Sequence, residues 1–364
     1  MQKTSSIYDL NSEDLIELCK TWGEPDYRAA QIWEGLYLQL WSSLDDFTPL
    51  PKGLKQKLGE YFAESKTTDS EKPSFSKLSP VRIQKSTDCE TIKTLFALTE
   101  GKQVEAVLMR YYNRCTLCIS TQAGCAMGCV FCATGQMGFQ RQLSSGEIVE
   151  QVLYYARQLA LENKQVTNIV VMGMGEPFHN YDATMAAIER LNNPQGFNFG
   201  ARRFTISTVG LVPGIRRFTQ AHTQINLAIS LHAADDKLRS QLLPINRKFP
   251  LDELFSVCLE YVQLTHRRLS FEWALIQGIN DTPEQASLLI QRLKLFRIKG
   301  SILCHVNVIP LNPTKKYDGH ASTHQSALAF QKLIEQAGIP CTIRIRRGIE
   351  IQAGCGQLAS EFVK

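Results

Sequence analysis

Cys125-Ala126-Met127-Gly128-Cys129-Val130-Phe131-Cys132 places three cysteines at C-x3-C-x2-C spacing within eight residues. Thiolates this close can hold three irons of a [4Fe-4S] cluster on one loop, since Cys is the usual ligand of such clusters. The fourth iron is then left without a cysteine from the loop. An iron with an open position is a place for chemistry, because an exogenous ligand can bind there and receive an electron. The same loop could hold zinc, but structural zinc sites are usually four-coordinate and built from two separated ligand pairs, which this loop lacks.

The spacing, with Phe131 just before the last cysteine, resembles the signature of the radical S-adenosylmethionine (SAM) superfamily. Downstream, Cys118 lies seven residues before the loop. Gly173-Met174-Gly175-Glu176-Pro177 follows an apolar run, and Ala353-Gly354-Cys355-Gly356-Gln357-Leu358 sits near the C-terminus. Together these resemble the RlmN/Cfr family of adenosine methyltransferases from about residue 90 onward. The resemblance implies an α/β fold: a partial (β/α)6 radical SAM barrel with a small N-terminal helical accessory domain. It also implies one [4Fe-4S] cluster on Cys125, Cys129 and Cys132, with SAM chelating the free iron.

Size and composition fit this reading. A chain of 364 residues with 44% hydrophobic residues is long enough to bury a barrel core and an accessory domain. No apolar run of about 18 residues occurs, and Met1-Gln2-Lys3-Thr4 does not open a signal stretch, so a cytoplasmic protein without a membrane partner is expected. Of eleven cysteines, five fall between residues 115 and 132, a distribution that suits cofactor and catalytic thiols better than a secreted disulfide framework. The net charge of +5 permits an RNA partner without demanding one.

Residues 1–75 carry no cysteine constellation and read as a helical accessory domain, RNA-binding by resemblance. One helix starts at Pro25, with Ala29, Ile32, Trp33, Leu36 and Leu40 on an apolar face, and a second covers residues 52–62. Residues 64–73 are polar and read as a linker. Residues 76–110 form a linker and hairpin extension, with strands at 91–98 and 104–109 around Glu100-Gly101-Lys102. The radical SAM core is assigned to 111–349, and 350–364 is the C-terminal segment with Cys355. Ser144 and Glu147 have capping-box form ahead of a helix. Strands are expected at 168–172, 203–208, 225–230, 269–276, 305–309 and 342–346, and helices at 252–264, 283–296 and 323–337. Repeated βα units with apolar strands indicate a parallel sheet.

In barrels of this kind the active site lies at the carboxyl ends of the strands. Gly175, Glu176, Ser207, Ser230, Leu231, His232 and Asn312 fall at or just past those ends and match SAM-contacting positions of the family. Glu176 could accept a hydrogen bond from the SAM amino group. Glu105, on the second hairpin strand, reads by alternation as an exposed strand residue. By resemblance it is a substrate-pocket carboxylate that contacts adenine or accepts a proton.

Adenine C2 is not nucleophilic, so direct displacement of methyl from SAM is too slow. The resemblance implies that Cys355 accepts a methyl group from one SAM and that a second SAM supplies the radical that activates it. Cys118 then resolves the protein–RNA bridge, leaving a Cys118–Cys355 disulfide bond for reduction. Two SAM molecules are consumed per turnover. The expected partners are 23S rRNA, tRNA and an electron donor such as flavodoxin, with no oligomer expected. Exposure of the base calls for flipping or a single-stranded target. Arg344 and Arg346, on one face of the strand leading towards Cys355, are candidate phosphate contacts. Two other readings remain: a Cfr-type enzyme acting at C8 of the same rRNA adenosine, and a non-catalytic iron-sulfur RNA-binding redox sensor.

Overall fold

The structure is a computed structural model and describes residues 6–62 and 75–359; the stretch read as a linker lies outside them. Three helices form the N-terminal module: α1 (Ser12–Thr21), α2 (Tyr27–Tyr37) and α3 (Lys52–Phe62). The start of α1 is fixed by a capping box in which Asp14 N donates to Asn11 Oδ1 at 2.8 Å and Asn11 N donates to the Asp14 carboxylate at 2.9 Å. Ile32, Trp33 and Leu36 of α2 are buried, as are Leu54 and Leu58 of α3. Each such side chain contributes about 1.5–3 kcal/mol when withdrawn from water. The module is pinned to the rest of the chain by polar contacts: Gly146 N donates to Asp9 Oδ1 at 2.6 Å, and Arg157 Nε donates to Leu40 O at 2.7 Å.

The sheet begins with an antiparallel run, β1 (Ser79–Lys85), β2 (Thr91–Ala97), β3 (Gln103–Tyr111) and β4 (Arg114–Cys118). The expected hairpin is β2–β3, with Leu95 opposite Glu105. After β4 the chain forms a ribbon, β5 (Gln122–Gly124) with β6 (Phe139–Gln142), enclosing the cysteine loop and the short α4 (Ala133–Met137). Helix α5 (Ser145–Leu161) starts at the Ser144–Glu147 capping box. Alternation follows: β7 (Asn168–Val171), α6 (Tyr181–Asn192), β8 (Phe204–Thr208), α7 (Val212–Gln220), β9 (Asn226–Ser230), α8 (Asp236–Leu242), α9 (Leu251–Thr265), β10 (Leu269–Leu275) and α10 (Pro283–Leu293). A two-residue ribbon, β11 (Arg297–Ile298) and β12 (Ser301–Ile302), precedes β13 (Cys304–Pro310), α11 (His324–Gln336) and β14 (Cys341–Ile343).

From β4 onward the order is β4-β7-β8-β9-β10-β13-β14, with every neighbouring pair parallel. The ten-stranded sheet ends at β1 and β14 without closing on itself. This is the α/β fold expected, a mostly parallel open barrel with a helical N-terminal region. Phe204, Ile206, Leu227, Ile229, Phe271, Trp273, Val306 and Val308 are buried in its apolar core. Alternate residues Thr205, Ser207, Ser230, Ser270, Glu272, His305 and Asn307 line the interior instead.

One strand is shorter than its sequence suggests. β14 ends at Ile343; Arg344 N still donates to Val308 O at 2.8 Å, but residues 344–346 run outside the sheet. Beyond that bond the chain turns through Gly348 (φ 60°) to carry residues 350–359 back to the cysteine loop. Arg344 and Arg346 therefore do not sit on one face of a strand. No helix among the described residues is long and apolar enough to cross a membrane.

Candidate active site

The cysteine loop is shaped by backbone geometry that its glycines permit. Gly124 has φ 71°, and a Cβ there would run into the Gly138 carbonyl oxygen at the other end of the loop. Close by, Cys125 N donates to Gly138 O at 3.0 Å and Cys132 N to Cys129 O at 3.1 Å. The loop also holds the C-terminal segment: Ala133 N donates to Gly356 O at 2.7 Å and Thr134 Oγ1 to Leu358 O at 2.6 Å.

Cys125, Cys129 and Cys132 open onto one cavity at the carboxyl ends of the strands. All three are free thiols. Burial pushes Cys125 up to about 12 and Cys129 well above the ordinary thiol range, and neighbouring thiols add to both shifts. Bringing such thiols together as thiolates needs compensating positive charge, which an iron-sulfur cluster supplies. Among the described residues no three His, Cys, Asp or Glu groups gather closely enough to hold a single metal ion. The three thiols instead share a cavity wall, as ligands to separate irons of one cluster would.

Six of the seven positions expected to touch SAM line the same cavity: Gly175, Glu176, Ser207, Ser230, His232 and Asn312. Gly175 (φ 105°) passes so close to Gln122 that an added Cβ would lie 2.6 Å from that side chain. Glu176 is buried and ties two strand ends together, accepting from Phe178 N at 3.1 Å and Val209 N at 2.9 Å. Burial raises its pKa to about 7, against these hydrogen bonds. Ser207 and Ser230 meet at 3.3 Å between their hydroxyls.

His232, with φ 60°, accepts from Ala274 N at 2.9 Å through Nδ1, which leaves the proton on Nε2. Burial, with the Arg239 charge, holds its pKa down at about 3, so the ring is a neutral donor. Leu231 is the position that does not reach the cavity wall. Its side chain is fully buried, and its backbone N–H donates to Glu272 O at 3.0 Å.

Cys355 lines the cavity with the three-thiol loop. Its carbonyl accepts from Asn312 Nδ2 at 3.0 Å, while Asn312 Oδ1 is buried with no partner among the described residues. The Cys355 residue is solvent-accessible at the wall of this cavity. Burial raises its thiol to about 11, and Arg344 opposes this. Cys118 is pushed up to about 12, first by burial and then by the charge of Cys355, and it does not line this cavity.

Glu105 departs from the exposed position that alternation suggests. It is buried and ion-paired to Lys93 at 2.9 Å, and its Oε2 accepts from Ala359 N at 2.9 Å. Lys93 Nζ also donates to Gln352 O at 3.3 Å, so the pair fastens the segment that carries Cys355.

Two functional positions escaped the sequence reading. Arg239, fully buried, donates to Leu231 O, Val209 O and Ser230 O at 3.1, 2.7 and 3.2 Å and so fixes the ends of β8 and β9 behind the cavity. Nothing in an exposed-looking helix signalled it. Glu272 lines both this cavity and a second, larger one, and the polar alternation Ser270, Glu272 within an apolar strand was the available sign.

Comparison with known proteins agrees with this geometry. The Radical SAM superfamily profile matches residues 119–288, and that of the ribosomal RNA large subunit methyltransferase N-terminal domain matches residues 5–63. A probable dual-specificity RNA methyltransferase RlmN of Chloroflexus aurantiacus is 48% identical over 358 residues, covering 97% of this chain and 92% of that protein. The dual-specificity RNA methyltransferase RlmN 1 of Myxococcus xanthus is 45% identical, covering 98% and 94%. The crystal structure of a radical SAM methyltransferase from Sphaerobacter thermophilus superposes with a TM-score of 0.91 at 45% identity, covering 98% of this chain and all of that one. The chain belongs to the RlmN family of radical SAM RNA methyltransferases.

Proposed function

We propose that the protein makes 2-methyladenosine in the peptidyl-transferase region of 23S rRNA and in tRNA next to the anticodon, through an S-methylcysteine at Cys355. The observation that carries this reading is Cys355 on the wall of the cavity that also holds Cys125, Cys129 and Cys132. Cys125, Cys129 and Cys132 would hold a [4Fe-4S] cluster, which would supply the electron for reductive cleavage of SAM and so the radical chemistry that activates the S-methyl group of Cys355. The chain's own residues do the rest. Glu176 and Asn312 offer acceptors to the SAM amino group, and His232 Nε2–H offers a donor.

Cys355 accepts methyl from a first SAM as a thiolate, which Arg344 favours against burial. Its sulfur then carries the activated carbon to the adenine ring. The ring adduct would return one electron to the cluster and give up its C2 proton; Cys118 as a thiolate then attacks the Cys355 sulfur, the sulfur–carbon bond breaks with its electron pair on carbon, that carbon takes a proton, and the methylated base leaves with a Cys118–Cys355 disulfide behind it. Two electrons from a reductant of the flavodoxin kind restore both thiols. Glu105 serves the ring proton or the adenine edge once Ala359 moves off its carboxylate.

Anaerobic reconstitution with SAM and an unmodified rRNA fragment tests the proposal, with the methyl located by mass spectrometry after digestion. A C2 product supports it. A C8 product moves the enzyme to the Cfr-type reaction, and no SAM cleavage at all returns it to a redox sensor.

A further inference from the structure

The barrel interior holds a second cavity, an open cleft of about 1570 Å³. It is lined by residues nearer the amino ends of the strands, among them Thr116, Asn168, Ser270 and His305. Met172, Glu272, Ile309, Asn312 and Cys355 line both cavities and form the partition. A sulfur in that partition can face SAM on one side and a second reactant on the other. The upper cavity already holds the three-thiol loop and the SAM-contacting positions, so the lower one is where the second reactant has room.

The lower cavity is built to bind something polar. Glu272 is buried, and its carboxylate takes one hydrogen bond, from Asn307 Nδ2 to Oε2 at 2.8 Å, with no other to the carboxylate oxygens found among the described residues. Thr116, 7% exposed, has a buried Oγ1 with no partner among them. Arg344 and Arg346 line the cleft, are exposed and form no ion pair with any described residue. Arg347 and Arg114 stand over the Tyr111 ring at 4.4 and 4.2 Å at the same cavity. An acceptor carboxylate deep inside and arginines outside suit a base with an exocyclic amine attached to a phosphate backbone.

We infer that this lower cavity receives the flipped adenine of the RNA substrate and that Glu272, oriented by Asn307, accepts a hydrogen bond from its exocyclic amine. This rests on the RNA methyltransferase reading above and deepens it. The amine-recognising oxygen belongs to the partition, so a base held by it lies against Cys355. Guanine and inosine present an oxygen at that position, which faces the carboxylate unfavourably. The Asn307 donor also makes a sharp prediction for Glu272→Gln: the amide oxygen turns to Asn307 and its NH2 group is presented to the base, exchanging acceptor for donor.

The test is equilibrium binding of RNA hairpins to the cluster-loaded, unreduced enzyme at pH 8, with adenosine, inosine or purine riboside at the target position. Wild type is expected to bind the adenosine hairpin about tenfold tighter than the inosine one, the size of about one lost hydrogen bond. Glu272→Gln removes or reverses that preference. Glu272→Leu binds all three within about twofold. Matched thermal melts and SAM affinity measured on each variant separate recognition from misfolding. Unchanged discrimination in both variants overturns the assignment, as does a loss confined to SAM affinity, which gives Glu272 to the cofactor. A wild-type enzyme that methylates no RNA overturns the function instead, and that outcome is read separately from discrimination between hairpins.

Discussion

The two cavities of the barrel share a partition but differ in what they ask of it. The upper one is lined largely by groups held neutral or already engaged: thiols pushed up by burial, His232 near 3, and Glu176 bonded to two backbone amides. The lower one keeps Glu272 and Thr116 with bonding capacity to spare and arginines at its rim. The difference teaches that the upper cavity holds its polar groups in bonds to their own neighbours, while the lower one keeps exposed cations for a ligand that must arrive and leave.

The comparison breaks most visibly at Cys355. Cys355→Ala is expected to abolish RNA methylation, by at least about a thousandfold in line with loss of a covalent nucleophile, while iron and sulfide analysis shows the cluster still bound. Cys118→Ala is expected to stall after one turnover with a covalent protein–RNA adduct visible on denaturing gels. Normal turnover by that variant would remove its resolving role.

Gly124→Ala tests the upper cavity. A left-handed φ and a collision with Gly138 O together cost more than about 1–3 kcal/mol, so iron content after reconstitution should fall while the lower cavity and its RNA affinity persist.

Lys93→Met tests the segment between the cavities. It removes the buried cation that faces Glu105, and breaking such a pair costs about 3–5 kcal/mol, read as a drop in melting temperature; in denaturant it should exceed the loss in Lys93→Met/Glu105→Leu, where both charges are gone.

Glu150 gives the smallest effect and belongs to neither cavity. Burial raises its carboxyl to about 7, above its unfolded value of 4.5. A folded group with a raised acid pKa binds more protons than the unfolded chain, so its contribution falls as pH climbs from about 4.5 to 7. Glu150→Gln should therefore gain on wild type as melts move from pH 5 to pH 8, by up to about 3 kcal/mol. A gap that does not change with pH would mean that the group titrates normally.

Much of this was legible in the sequence because local rules govern it. The cysteine spacing, the Ser144–Glu147 cap, the 52–62 helix and the hairpin around Gly101 each depend on neighbours a few residues away. The positions at strand ends followed from fold geometry once a parallel barrel was expected, and six of seven reach the cavity. Leu231 did not, because the residue between two inward-facing neighbours on an extended chain points the other way. Burial of Glu105 was illegible, since its partners come from another strand and from Ala359, 254 positions along the chain. The early end of β14 was illegible for the same reason: only the need to cross back to the cysteine loop stops it.

The bonds from Ala133 to Gly356 and from Thr134 to Leu358 have a practical meaning. The three-cysteine loop is also the dock of the segment that carries Cys355, so a change that distorts the loop shifts that thiol as well.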